Sequence, residues 1–137
     1  MQSEFHIRSQ RKYQMLDITR QVQEIVRAAN LPEAICSVYV THATAAVVIN
    51  ENDDPNVCED VLAALDKLIP EGIWRHDRVD NNAQAHIKAA LLGPSETVPV
   101  ENGDLLLGRW QGIMLVEFDG PRARRLVSVR IVPESCA

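Results

Sequence analysis

The sequence predicts a single compact α+β domain over residues 1–137, with antiparallel or mixed sheets and about three helices. Three observations lead there. The chain has 137 residues, enough for one core and too few for two. Strand-like and helix-like segments do not alternate strictly, as a doubly wound parallel sheet would require. The last third reads as strand throughout, broken by turn residues.

The elements follow in order. Phe5 to Leu16 reads as one or two short strands. Asp17 is placed to cap a helix whose apolar face recurs at Ile18, Val22, Ile25, Val26 and Ala29, and Leu31-Pro32 stops it. Ala34–Tyr39 and Thr44–Ile49 are strand-like runs. Asp54-Pro55 starts a second helix, since Asp caps and proline suits the first helical position. Its stripe is Val57, Val61, Leu62, Leu65, Leu68 and Ile69, closed by Pro70 and Gly72. A polar loop, Ile73 to Asn82, leads into a third helix, Ala83 to Leu92, that Gly93-Pro94 ends. Val98–Val100 and Leu105–Leu107 flank Asn102-Gly103, a two-residue hairpin signal. Gly112–Phe118 and Arg124–Val132 flank a second turn at Asp119-Gly120-Pro121.

Composition narrows the function classes. Hydrophobic residues make up 46% and charged residues 24%, ordinary for a globular protein. Fourteen basic against 19 acidic residues leave a formal net charge of -5, which argues against a general nucleic-acid binder. No apolar run approaches the roughly 18 residues that cross a bilayer, and Met1 to His6 lacks the apolar core of a signal peptide. Cys36, Cys58 and Cys136 form no Cys-x-x-Cys pair. Cys36 and Cys58 read as small buried hydrophobes in a reducing cytoplasm. The glycines fit neither a P-loop nor a dinucleotide fingerprint.

Chemistry concentrates at Val40–Asp54. An apolar, β-branched run has His42 at its entrance and Asn50, Glu51, Asn52, Asp53 and Asp54 at its exit. His42, His76 and His86 each lie beside polar residues. Three imidazoles around one ion would leave an open position, as at catalytic zinc, while the alternative is three histidines with ordinary hydrogen bonds. Glu51 follows the strand directly and would serve as a general base or metal ligand, whereas Asp54 reads better as a helix cap. The oxygen-rich exit also suits magnesium, a partner for diphosphates. Asn82 either caps the third helix or meets an anion at its N-terminus. Arg122, Arg124 and Arg125 follow the second turn. Alternation would send Arg122 and Arg124 to one side, where their forks suit phosphate, or they only keep a hairpin end solvated.

Taken together, Thr41-His42-Ala43-Thr44-Ala45-Ala46, Asn50-Glu51-x-Asp53, Ala85-His86-Ile87-Lys88-Ala89, Leu91-Leu92-Gly93, Trp110-Gln111-Gly112-Ile113 and Glu117-Phe118-Asp119-Gly120-Pro121-Arg122 resemble the YjbQ family. The resemblance runs from about residue 5 to 132, with the six blocks in family order. It implies a compact α+β fold assembled as a homotrimer. It also implies a pocket in which His42, His76 and His86 hold a metal, near Glu51, Asn82 and the Arg122 region. The activity attached to the family is a weak, secondary thiamine-phosphate synthase, joining a hydroxymethylpyrimidine diphosphate to a thiazole phosphate. Two departures stand out: Ala43 where a hydroxyl residue is common, and a glycine-poor loop between His76 and His86.

Three functions compete. In a synthase, Glu51, Asp53 and Asp54 would hold magnesium while Arg122, Arg124 or Lys88 hold phosphate. In a metal-dependent hydrolase of a small phosphorylated or amide substrate, a zinc-like ion on the three histidines would activate water and Glu51 would take the proton. The third is a non-catalytic trimer that binds a metal or small ligand. None of them involves nucleic acid or membrane.

Overall fold

The computed structural model describes residues 1–134, so Cys136 lies outside the described residues. Twelve elements follow one another: β1 (Gln2–Ile7), β2 (Gln14–Asp17), α1 (Thr19–Ala29), β3 (Glu33–Val40), β4 (Ala45–Glu51), α2 (Pro55–Leu68), a 3-10 turn (Arg75–Arg78), α3 (Ala83–Leu92), β5 (Ser95–Glu101), β6 (Asp104–Leu105), β7 (Gln111–Glu117) and β8 (Arg125–Pro133). They build the expected α+β domain. Five strands form one sheet in the order β1-β8-β3-β5-β6, and three form a second in the order β2-β7-β4. Every pairing is antiparallel.

The core follows from which faces these strands offer. β3 alternates, with Ala34, Cys36, Val38 and Val40 buried, and meets Val127, Val129 and Ile131 of β8 on the same face. Against them pack Ala45 and Val47 of β4, Ile113 and Leu115 of β7, and Val22 and Val26 of α1. The other face of the small sheet carries Ala46 and Val116. It is covered by Leu65 of α2 and by Ala85 and Ala89 of α3. The molecule therefore has three layers: large sheet, small sheet, helix pair. The small sheet is apolar on both faces, which explains the unbroken run Ala45–Val48.

Local signals mostly act as read. Asp54 Oδ1 accepts the Asn56 N–H at 2.9 Å, and Pro55 opens α2. Asn102 and Gly103 both adopt positive φ between Glu101 and its partner Asp104, the geometry that such a hairpin demands. Two caps differ. Asp17 stands one residue ahead of the N-cap Ile18; its Oδ1 accepts from the Thr19 N–H and hydroxyl, and its Oδ2 from Asn52. Asn82 makes no side-chain cap on α3, because Asp77 reaches over and accepts the Ala83 N–H at 3.0 Å.

Candidate functional site

Two clefts lie where the 3-10 turn, α3 and the entrance to β4 meet. His86 is on the first turns of α3. It lines a cleft of about 540 Å³ with Ile73, Trp74, Arg75, His76 and Ile87. It also lines a second cleft, of about 340 Å³, with His42, Ala43, Ala89 and Pro94. His76 and His86 meet edge to face, with ring centroids 5.0 Å apart. The wall formed by the loop is fastened by Trp74 Nε1, which donates to the Pro70 carbonyl at 2.7 Å. Glu71 ties the same loop to Tyr13, the residue before β2, accepting from its hydroxyl.

His42 sits in the turn between β3 and β4, partly buried. Its Nε2 accepts the Leu126 N–H at 2.8 Å, so the neutral ring carries its proton on Nδ1. Burial and the nearby Arg125 charge hold its pKa below the usual histidine range. At neutral pH it is a neutral donor, not a cation.

Beneath the site runs a buried ionic network. Glu117, wholly buried at the end of β7, accepts from Arg125, from the Ser9 hydroxyl at 2.6 Å and from the Asp119 N–H at 3.0 Å. Arg125 Nη2 also donates to the Thr44 hydroxyl, at 2.8 Å, and to the Thr44 carbonyl. Burial alone would raise the Glu117 carboxyl; the Arg125 and Ser9 hydrogen bonds outweigh it and hold the pKa below the usual range. The network fixes the turn above it. Ser9 Oγ accepts the Arg122 N–H, and Asp119 Oδ2 accepts from Asn82 Nδ2 and Arg122 Nη2, each at 2.9 Å. Asn82 thus serves the site by joining α3 to the β7–β8 turn.

Several sequence expectations change. The three histidines do not form a ligand set within one chain. His42 has Nε2 occupied and Nδ1 protonated, and among the described residues no three His, Cys, Asp or Glu side chains converge on a metal position. Glu51 lies at the far end of β4, opposite Gln111 and about 20 Å of strand from His42, so the two do not act together within a chain. Lys88 is not available to a phosphate. It is 1% exposed, its Nζ lies 4.3 Å over the Tyr13 ring, and it pairs with Asp66 at 3.3 Å. Alternation does not align Arg122 with Arg124, because β8 begins at Arg125. Of the exit residues, Asn52 and Asp53 line a separate cleft of about 260 Å³ with Asp17, Thr19, Arg109 and Gln111.

Sequence reading missed Ser9, Thr44, Glu117 and Arg125 as a unit. One signal was available: Glu117 ends an apolar run and Arg125 begins another, and charges inside such strands need each other. Trp74 and Asp119 were also without assigned roles.

The fold and site define a small α+β protein with a histidine-lined, two-part cleft. The model of the UPF0047 protein YjbQ-like family matches residues 3–134, and the chain belongs to that family. It is 45% identical over 125 residues to a UPF0047 protein of Archaeoglobus fulgidus, covering 90% of this chain and 96% of that protein. It is 40% identical to the UPF0047 protein YugU of Bacillus subtilis, covering 86% and 89% of the two chains. A crystal structure of a YbjQ-like protein of unknown function from Sulfolobus solfataricus matches with a TM-score of 0.94 at 38% identity, covering 98% of this chain and 97% of that one. No helix among the described residues is long and apolar enough to cross a membrane.

Proposed function

We propose that this protein is a small-molecule enzyme acting on phosphorylated heterocycles, with thiamine-phosphate synthase-like transfer as its reaction class. The observation that carries the reading is His86, the shared wall of two adjoining clefts. Joining the two rings forms a bond from the thiazole nitrogen to the pyrimidine methylene carbon and expels diphosphate. It needs two neighbouring ring-sized sites, and an imidazole donor on their shared wall suits the departing anion. The Trp74, Ile73 and Ile87 side suits a planar apolar ring, while His42 offers an Nδ1–H donor to the second cleft. Family resemblance supports the same reaction class, although membership of a fold family does not itself carry an activity.

The residues of one chain do not fit a resident metal centre, for the reasons of geometry given above, so no step is routed through one. The hydrolase alternative required that centre together with Glu51 and has no observation in its favour. We further propose the homotrimer implied by the resemblance; exposed Tyr39, Leu106 and Trp110 are side chains that an assembly would cover.

The test is formation of thiamine phosphate from the pyrimidine diphosphate and thiazole phosphate, with magnesium supplied. His86→Ala should lower the rate about 100-fold or more. An inactive wild type that still binds thiazole phosphate would point to the non-catalytic ligand-binding reading instead. Sedimentation of the full chain checks the trimer.

A further inference from the structure

The two clefts that share His86 differ in charge. Arg75, the first residue of the 3-10 turn, is the one permanently charged side chain lining the larger cleft. The smaller cleft has none, its walls being His42, His86, Pro94 and alanines. The backbone that carries Arg75 is held in place by Asp77. Its Oδ2 accepts the Trp74 N–H and its Oδ1 the Ala83 N–H, each at 3.0 Å. One carboxylate thus clamps the residue before Arg75 to the first residue of α3, and both its oxygens are occupied by backbone donors.

Arg75 itself is uncommitted. It is exposed, and among the described residues it enters no ion pair. The cleft it lines also holds the rings of His76 and His86, which meet edge to face. Asp80 Oδ2 lies 3.7 Å from His76 Nε2, beyond hydrogen-bond reach, and does not line the cleft. The remaining walls are the apolar Trp74, Ile73 and Ile87. A guanidinium fork and two imidazoles against an apolar wall suit a multiply charged oxyanion carried on a planar ring. In a chain of net charge -5, a cleft whose only permanent charge is positive selects for such an anion.

We propose that Arg75, with His76 and His86, forms a diphosphate subsite in the larger cleft. It follows that the pyrimidine diphosphate occupies this cleft and the thiazole phosphate the smaller one, an assignment that rests on the synthase reading above. The thiazole nitrogen lone pair would form the new bond to carbon, while the carbon–oxygen bond breaks and its electron pair leaves with diphosphate. The leaving charge then develops in the cleft that holds Arg75, against the shared wall at His86. The diphosphate subsite itself does not depend on that reaction.

The experiment has two arms on the full-length protein. In the first, calorimetric titration with inorganic diphosphate should show saturable binding, about tenfold tighter than inorganic phosphate, which offers fewer oxygens to the same donors. Arg75→Gln should weaken diphosphate about tenfold. Arg78→Gln removes the same charge from the same turn, but outside the cleft lining, and should change it less than about threefold. No saturable binding, equal affinity for phosphate, or equal losses in the two variants would overturn the subsite. In the second arm, Arg75→Gln should raise KM for the pyrimidine diphosphate about tenfold and leave KM for thiazole phosphate within about twofold. The reverse pattern would overturn the assignment of substrates to clefts while the subsite stands. Absence of turnover in the wild type would sink the synthase reading and the assignment with it, and the titration alone would then decide the subsite.

Discussion

His42 is required neutral by its hydrogen bond, because protonating Nε2 would set two donors, the ring and the Leu126 N–H, against each other. Its folded pKa is below 6.5, its usual value, so the unfolded chain binds more protons than the native one in the window just beneath that pH. The stabilisation from His42 is therefore complete above about pH 6.5 and declines as pH falls toward the folded pKa. Urea denaturation at pH 7.5 and 5.5 should show this decline, and His42→Gln should shrink it. A decline of equal size in the variant would assign the effect to other groups. Glu117 works in the same direction at lower pH: its stabilisation is present above about pH 4.5 and lost as pH falls through the depressed folded value. Removing one partner of its buried pair, as in Glu117→Gln, leaves Arg125 buried and uncompensated, at an expected cost of about 3–5 kcal/mol. Replacing both partners with apolar residues of similar volume should recover much of that loss, as measured by denaturant titration.

Elements were legible wherever their signals were local. Asp54-Pro55 started α2, Asn102-Gly103 made the hairpin, and the 3.6-residue stripe found α1. Asp54→Ala should destabilise the protein by about 1 kcal/mol through the lost cap, seen as a lower urea midpoint with an unchanged slope. The caps that misled did so because a distant side chain did the work. Asp77 takes the Ala83 N–H, which frees Asn82 to hold Asp119 across the layer boundary. Gly120 shows the same dependence on tertiary context. A Cβ there would collide with the Arg11 carbonyl oxygen and press on Glu117 and Ser9 at 2.9 Å. Gly120→Ala should accordingly lower the thermal midpoint by several degrees, at about 4 °C per kcal/mol for a domain of this size. Ala at Gly72, where nothing lies within 4 Å but φ is +83°, should act through backbone strain alone and cost less.

At the scale of the molecule, three layers put the clefts at one end of the small sheet and the polar exit cluster at the other. A ligand that binds only the native state stabilises it by mass action, by about 2.7 kcal/mol at a hundredfold excess over Kd. Thiazole phosphate should thus raise the melting temperature of the wild type, with little effect on His86→Ala. Equal shifts in both proteins would move the binding site away from the shared wall. The sequence by itself determined the α+β class, most element boundaries and the family, because periodicity, caps and turn residues act over a few neighbours. It also singled out His42 and His86, which do line one cleft. Only the tertiary structure decided which charges are buried and which remain free. Glu117 finds Ser9 from 108 positions away and Arg125 finds Thr44 from 81, distances over which no local pattern carries information. The same packing separated Glu51 from His42, buried Lys88 and set Arg124 beside His6, since side chains meet according to how layers stack rather than how residues are spaced.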